Sequence, residues 1–253
     1  MVMRRIVIVL AVMALGGVLA GCWEARQAGH PRSGTSPAIN TNGGGDADGD
    51  RQTDETHEYG ERILTVALRT QAASIDVDVG DGPVRVRERI RHSGDPPPTS
   101  RTVDGTTLRL ENHGCGAATD DRVCEVAYQL RLPRDTALEV DSGAGSVTVR
   151  GLHGDLRVNT GAGRVHAVDL GSRNVSVTAH AGAVKLGFDR PPTLAEVRTE
   201  VGAIDVRVPG NTSYAVDART RVGTARVAAS HSPGADNRIV LRSNAGTVSV
   251  DST

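Results

Sequence analysis

The chain has 253 residues, enough for one or two domains, and a formal net charge of -1. So balanced a charge excludes a general nucleic-acid binder or a polybasic membrane-surface binder, which both need a clear positive excess. Aromatic residues make up only 2% of the chain, so Val, Ala, Leu and Ile must fill the interior, which favours a thin core between closely spaced sheets.

The N-terminus reads as an export signal. Arg4 and Arg5 precede an apolar run from Ile6 to Leu19 that is too short to span a bilayer comfortably. The run ends in Leu19-Ala20-Gly21-Cys22, which resembles a bacterial lipoprotein signal. That resemblance implies a leader over residues 1–21 and an acylated Cys22 (palmitate or a similar chain). It places the protein on the cell membrane, lipid-anchored at the extracytoplasmic face, because two or more acyl chains anchor stably. Cys115 and Cys124 then share an oxidising compartment, and a disulfide closing that short loop is the plain expectation. His113 lies nearby, but two Cys and one His leave a zinc site without a fourth ligand, so no metal is expected.

Residues 22–57 are rich in Gly, Asp, Ser, Thr and Asn and read as a flexible tether. Asp46, Asp48 and Asp50 have the opening spacing of a calcium loop. Arg51 stands where an EF-hand needs glycine and His57 where it needs glutamate, which excludes that motif.

From residue 58 to 253 the pattern is one of strands. Ile75, Val77 and Val79 alternate with aspartates, Val84 and Val86 with arginines, and Leu108, Leu110, Val126, Tyr128, Leu130 and Leu132 continue the period of two. Two inserted loops are expected, near 92–106 around Pro96-Pro97-Pro98 and near 112–124 around the cysteines.

The second half carries an internal repeat. Gly145, Gly163, Gly182, Gly202, Gly223 and Gly246 recur every 18 to 23 residues. Aligned on them, the positions seven and five before and two and four after are apolar in all six repeats. The position three before holds Ser142, Thr160, Ala179, Thr199, Thr220 and Ser243. Inward parity is odd before the glycine and even after it, so the chain turns a corner there, where glycine tolerates positive φ. The hydroxyls are expected to bond backbone groups freed at that corner. Gly82 fits the same pattern, with Ile75, Val77, Val84 and Val86 at matching offsets. All length variation falls between repeats, in intervals of 6, 7, 8, 9 and 11 residues. One fixed corner and one variable edge describe an all-β, single-domain β-solenoid of stacked repeats. The alternative is an antiparallel β-sandwich of hairpins.

Leu130-Arg131-Leu132-Pro133, Leu138-Glu139-Val140, the run Gly143 to Val149, and Gly154-Asp155-Leu156-Arg157-Val158 resemble the bacterial "putative adhesin" β-strand-repeat family of unknown function, over about residues 60 to 252. The resemblance implies a surface-exposed β-solenoid and specifies fold far better than activity.

No catalytic set is recognisable, so neither an enzyme nor a cofactor is expected. His153, His166, His180 and His231 occupy different offsets and form no ladder. Four before the glycine, Asp141 and Asn159 give way to Arg198, Arg219 and Arg242, a solvated face or a candidate docking strip. Almost no aromatic platform is available for sugars. The expectation is a surface adhesion or interaction module that meets an unknown protein or envelope polymer through polar contacts. The alternatives are an envelope sensor or accessory lipoprotein acting on a membrane complex, and a polysaccharide-active β-helix enzyme. The chain ends three residues past Val250, so an open last repeat, and self-association through it, is also expected unless another segment covers it.

Overall fold

The computed structural model describes residues 50–114 and 123–253. The expected leader, the expected acylation of Cys22, most of the expected tether, and Cys115 with the disulfide expected of it fall outside them. The described residues form nineteen strands and no helix. Seven strands open the fold: β1 (Arg51–Tyr59), β2 (Thr65–Ala72), β3 (Ser74–Val79), β4 (Val84–His92), β5 (Thr99–Asp104), β6 (Thr107–Asn112) and β7 (Cys124–Leu132). Each glycine-marked repeat then supplies two. These are β8 (Ala137–Ala144) with β9 (Val147–Arg150), β10 (Leu156–Ala162) with β11 (Val165–Leu170), and β12 (Asn174–Ala181) with β13 (Val184–Phe188). They continue with β14 (Leu194–Val201) and β15 (Ile204–Val208), β16 (Ala215–Val222) and β17 (Ala225–Val227), and β18 (Arg238–Ala245) and β19 (Val248–Ser252).

The strand before each glycine enters one sheet and the strand after it enters the other. The first sheet, here sheet B, runs β16-β18-β14-β12-β10-β8-β2-β6-β5; sheet A runs β1-β4-β7-β3-β9-β11-β13-β15-β19-β17. Neither sheet closes into a barrel. Within the repeats all pairing is parallel and keeps column on column, as in Leu138↔Leu156↔Val175↔Ala195 and Val147↔Val165↔Val184↔Ile204. Antiparallel pairing is confined to β4 with β1 and β7, and to β5 with β6. The four apolar columns face one another between the sheets and are buried in every repeat except that of Gly223. Each such Val or Leu contributes about 1.5–3 kcal/mol by leaving water.

The corner glycines stack as a ladder, and all six have φ between 120° and 153°. Gly145, Gly163 and Gly182 donate their N–H to the carbonyls of Ala162, Ala181 and Val201, each in the next repeat. A Cβ on any of the six would overlap the carbonyl oxygen of the corner residue in the adjoining repeat. Glycine is therefore required twice over, by conformation and by space. The corner hydroxyls behave as expected in part. Ser142, Thr160 and Thr220 donate to the carbonyls of Ala144, Ala162 and Val222, and Ser243 to that of Gly202. Thr199 is buried without a hydrogen-bond partner.

The structure corrects the expected organisation at four places. Gly82 is not a corner. The strands that flank it, β3 and β4, lie in the same sheet with β7 between them, so no change of sheet occurs there. The corner of that repeat is Ala73, with Val66, Leu68, Ile75 and Val77 in the four columns. Second, the repeats do not stack in chain order. The Gly246 repeat inserts between those of Gly202 and Gly223, and β2 and β3 insert between β6–β7 and β8–β9. The last repeat is thus interior; of the glycine-marked repeats that of Gly223 carries unpaired edges, and β1 and β5 are the edge strands at the other end. Third, the tether stops earlier than residue 57, because Arg51–Tyr59 pairs along its whole length with β4. Fourth, the insertion near 92–106 contributes β5, which extends sheet B.

Strand β1 is held by charge. Its residues are exposed except His57 and Tyr59. Asp50 pairs with Arg91, Asp54 with Arg87 and Arg89, and Glu58 with Arg85. The hydrogen bond from Arg87 holds the Asp54 carboxyl below its ordinary range. A depressed carboxylate stabilises the docked strand above the unfolded value and ceases to do so as pH falls through the folded one. We expect the amide protection factors of residues 51–58, with the intrinsic pH dependence of exchange removed, to fall below about pH 4, and in concentrated salt, before those in β2 to β19 change. Equal protection of β1 and β2 at pH 3 excludes this account.

Candidate functional site

The outer face of sheet B offers the best-formed surface feature. Parallel pairing sorts the residues four before the corner into one row that runs Glu111, Arg69, Asp141, Asn159, Thr178, Arg198, Arg242, Arg219. Two positions further on, Gly143 and Gly161 interrupt a line of side chains between Gln71 and His180. Their Cβ atoms would meet the backbone carbonyl oxygens of Gln71 and Gly143. Two consecutive missing side chains leave a recess of about 640 Å³. Asn159 donates to the Asp141 carboxylate at 2.8 Å, and Arg69 stands 3.6 Å from its other oxygen. The recess therefore presents fixed hydrogen-bonding groups over a glycine floor, with His180 at one side. It suits an extended polar chain better than a flat apolar ligand.

The three arginines read as a docking strip are brought together. Arg198, Arg242 and Arg219 are successive in the row. Their charge is largely consumed within the sheet. Arg198 pairs with Glu196, and both Arg242 and Arg219 pair with Asp217. The hydrogen bond from Arg242 lowers the Asp217 carboxyl from its ordinary value. The acids lie on the same outward face, two residues before Arg198 and Arg219, so alternation within each strand supplies the partner. Exposed pairs of this kind contribute little to stability, and they leave the strip with small net charge.

A second polar cluster was not anticipated. Glu88 occupies an inward position on β4, beside Val86 and Ile90, and is 3% exposed. Tyr128 Oη donates to its Oε1 at 2.7 Å and Arg101 to its Oε2 at 2.5 Å; Arg101 also reaches Glu55 at 3.1 Å. Burial, and then the hydrogen bond to Glu88, push the Tyr128 hydroxyl well above its ordinary value. The cluster lies between β4 and β7 of one sheet and β5 of the other, where it closes the end of the apolar interior. Glu88 at an inward offset among valines was the sequence signal for it.

The histidines stay apart. His153 is partly buried with Nε2 3.8 Å from Asp189, while His180 and His231 are exposed. Among the described residues no group of three or more His, Cys, Asp and Glu is placed to hold a metal ion.

No protein-family model matches the chain, and no curated protein matches it in sequence. Solved structures do. A "putative cell adhesion protein" from Clostridium sporogenes superposes with a TM-score of 0.51 at 14% identity, over 80% of this chain and 100% of that one. A "putative adhesin" from Bacteroides fragilis matches at TM-score 0.35 and 12% identity, over 79% and 97%. Another from Parabacteroides merdae matches at 0.28 and 8%, over 79% and 96%. The clostridial protein bears an adhesion name, in line with the resemblance read from the sequence. At these identities the likeness to the clostridial protein is one of fold.

Proposed function

We propose that this chain is a lipid-anchored β-solenoid that acts as an adhesion or interaction module of the bacterial envelope and binds an extended polar partner, a protein or an envelope polymer, across the outer face of sheet B. The observation that carries the reading is the glycine-floored recess around Asp141, Asn159 and Gly161, a ready-made seat for a chain that crosses the strands. Columns fixed by the repeat hold its groups in register, so recognition rests on backbone stacking and not on a mobile loop. The adhesion name of the clostridial protein supports the same role. Acylation of Cys22 would set the module at the membrane, with the residues before β1 as its tether.

The test is photo-crosslinking on intact cells, with the reactive residue at position 159 or, as a control, at position 166 on the outer face of sheet A. We expect a discrete product from position 159 that is absent from position 166 and absent when Asp141→Arg fills the recess. A product from position 159 that persists at the same level in Asp141→Arg excludes a site on sheet B. Recovery of the Cys22→Ala chain in the membrane fraction, at the level of the unsubstituted chain, excludes the anchor.

A further inference from the structure

The outer face of sheet A carries one arginine, Arg131, whose charge neither the docking of β1 nor the Asp78–Arg150 pair uses. Arg85 on β4 and Arg131 on β7 are directly opposite in an antiparallel pair. Like charges so placed are destabilising. The row continues from Glu58 through Arg85 and Arg131 to Asp78 and Arg150. Glu58 takes Arg85, with 2.6 Å to its Nη2, and Asp78 takes Arg150 at 3.2 Å. Asp54 takes Arg87 through Nε and Nη2. Arg131 has no carboxylate partner among the described residues, although Asp78 is its neighbour in the parallel pair. Its guanidinium lies over Gly80, where a Cβ would displace it. Between these side chains is a recess of about 510 Å³ lined by Arg85, Arg87, Arg131 and Arg150 against only Asp76 and Asp78.

We propose that this recess is an anion-binding site, and that its ligand is a phosphate group of an extended phosphodiester or polyphosphate chain. The donors left over define the chemistry. Glu58 and Asp54 occupy the Nε and Nη2 edges of Arg85 and Arg87, so each still offers Nη1, and Arg131 offers its whole fork. Three guanidinium groups lining one recess need more acceptor oxygens than one carboxylate presents, and a phosphate supplies them. A bound anion also offsets the part of the Arg85–Arg131 repulsion that Glu58 leaves. This site is on the opposite sheet from the recess of the proposed function and stands or falls independently of it.

The test is calorimetric titration of the full chain in detergent with sodium tripolyphosphate. Saturable binding that weakens as salt rises is expected. Arg131→Gln should lower the affinity at least tenfold, and Arg131→Lys should restore part of it. Arg198→Gln, which removes an ion-paired arginine from the other sheet, should leave it unchanged. Arg131→Gln should also fold at least as stably as the unsubstituted chain, because it removes a like-charge contact. Absence of saturable binding overturns the site. So does an equal loss in Arg198→Gln, which would mean diffuse attraction, and so does a marked loss of stability in Arg131→Gln, which would make that arginine structural. A second arm uses the Cys22→Ala chain with vesicles of phosphatidylglycerol or phosphatidylcholine. Capture by the former without binding of tripolyphosphate assigns the surface to lipid headgroups and overturns the polymer ligand.

Discussion

Gly182→Val is expected to lower the unfolding free energy by about 3 kcal/mol or more, through backbone strain and overpacking together. Gly182 has φ 136°, which L side chains rarely adopt, and a Cβ there would overlap the Gly163 carbonyl oxygen. The substituted corner must therefore either change conformation or push two repeats apart. Either response breaks the donation from Gly163 to Ala181 and from Gly182 to Val201. Gly82→Ala isolates the conformational part. Its φ is 97°, yet no atom lies within 4 Å of the added carbon, so a loss of about 1–2 kcal/mol is expected. Ala73→Gly should cost about 1–2 kcal/mol, from backbone entropy and from the loss of a buried methyl group. Urea unfolding of the three variants gives the ranking. If Gly182→Val is no worse than Gly82→Ala, the stacked-glycine account of the corner is wrong.

The columns of this fold were legible because they are local. Val140, Val158, Val177 and Val197 repeat at one offset, and each is buried where that offset places it. The order of the repeats was not legible, because rungs with the same columns are interchangeable as neighbours. Leu241 can lie on Val197 as well as Ala218 can, and only the connections decide. The signals were present but weak. The longest interval, from Val227 to Ile239, leads from the terminal repeat back to its inner neighbour. The terminal repeat itself is depleted, with Ala218 and Ala225 where its neighbours hold Val, Leu or Ile. Ala73 was missed as a corner because it lacks the marker. Its neighbour on the far side, the β6–β7 rung, carries its insertion between Asn112 and Cys124 at the corner. Ala73 also has no positive φ, so nothing demands glycine there. Strand β1 was read as tether because neither of its faces is apolar. What orders it is the row of arginines at positions 85, 87, 89 and 91, more than twenty residues away. The recess on sheet B was half legible. Asp141 and Asn159 were in view as one column, but the floor comes from a line of glycines whose neighbours only the pairing reveals.

Arg101→Ala is expected to be the most damaging change at the opposite end of the stack, at about 3–5 kcal/mol, because it leaves the Glu88 carboxylate buried without its counter-charge. Exposure of the Arg101 side chain, at 27%, places the result toward the lower figure. The paired variant Arg101→Leu with Glu88→Leu, made in a Tyr128→Phe background so that no buried hydroxyl is left without its acceptor, should recover most of the loss, since apolar replacement of the partners removes the uncompensated charge and extends the valine columns. A double-mutant cycle by urea unfolding measures this, and additive losses would show that the two side chains act separately. Tyr128 adds a pH dependence of definite sign. Its hydroxyl is raised in the folded chain by burial and by Glu88, whereas in the unfolded chain it ionises near pH 10. The folded state therefore keeps a proton that the unfolded state loses. The contribution is complete below about pH 10 and declines as pH rises further. Tyr128→Phe should cost about 1–3 kcal/mol at neutral pH, for a hydrogen bond to a charged acceptor, and should flatten the alkaline decline. An alkaline decline of unchanged slope in Tyr128→Phe would assign it to groups other than this one. The cluster closes an end that the repeat itself leaves open. The ion pair sunk between β4 and β5 fills that end of the interior, while β1 and β5 remain the outer strands of their sheets.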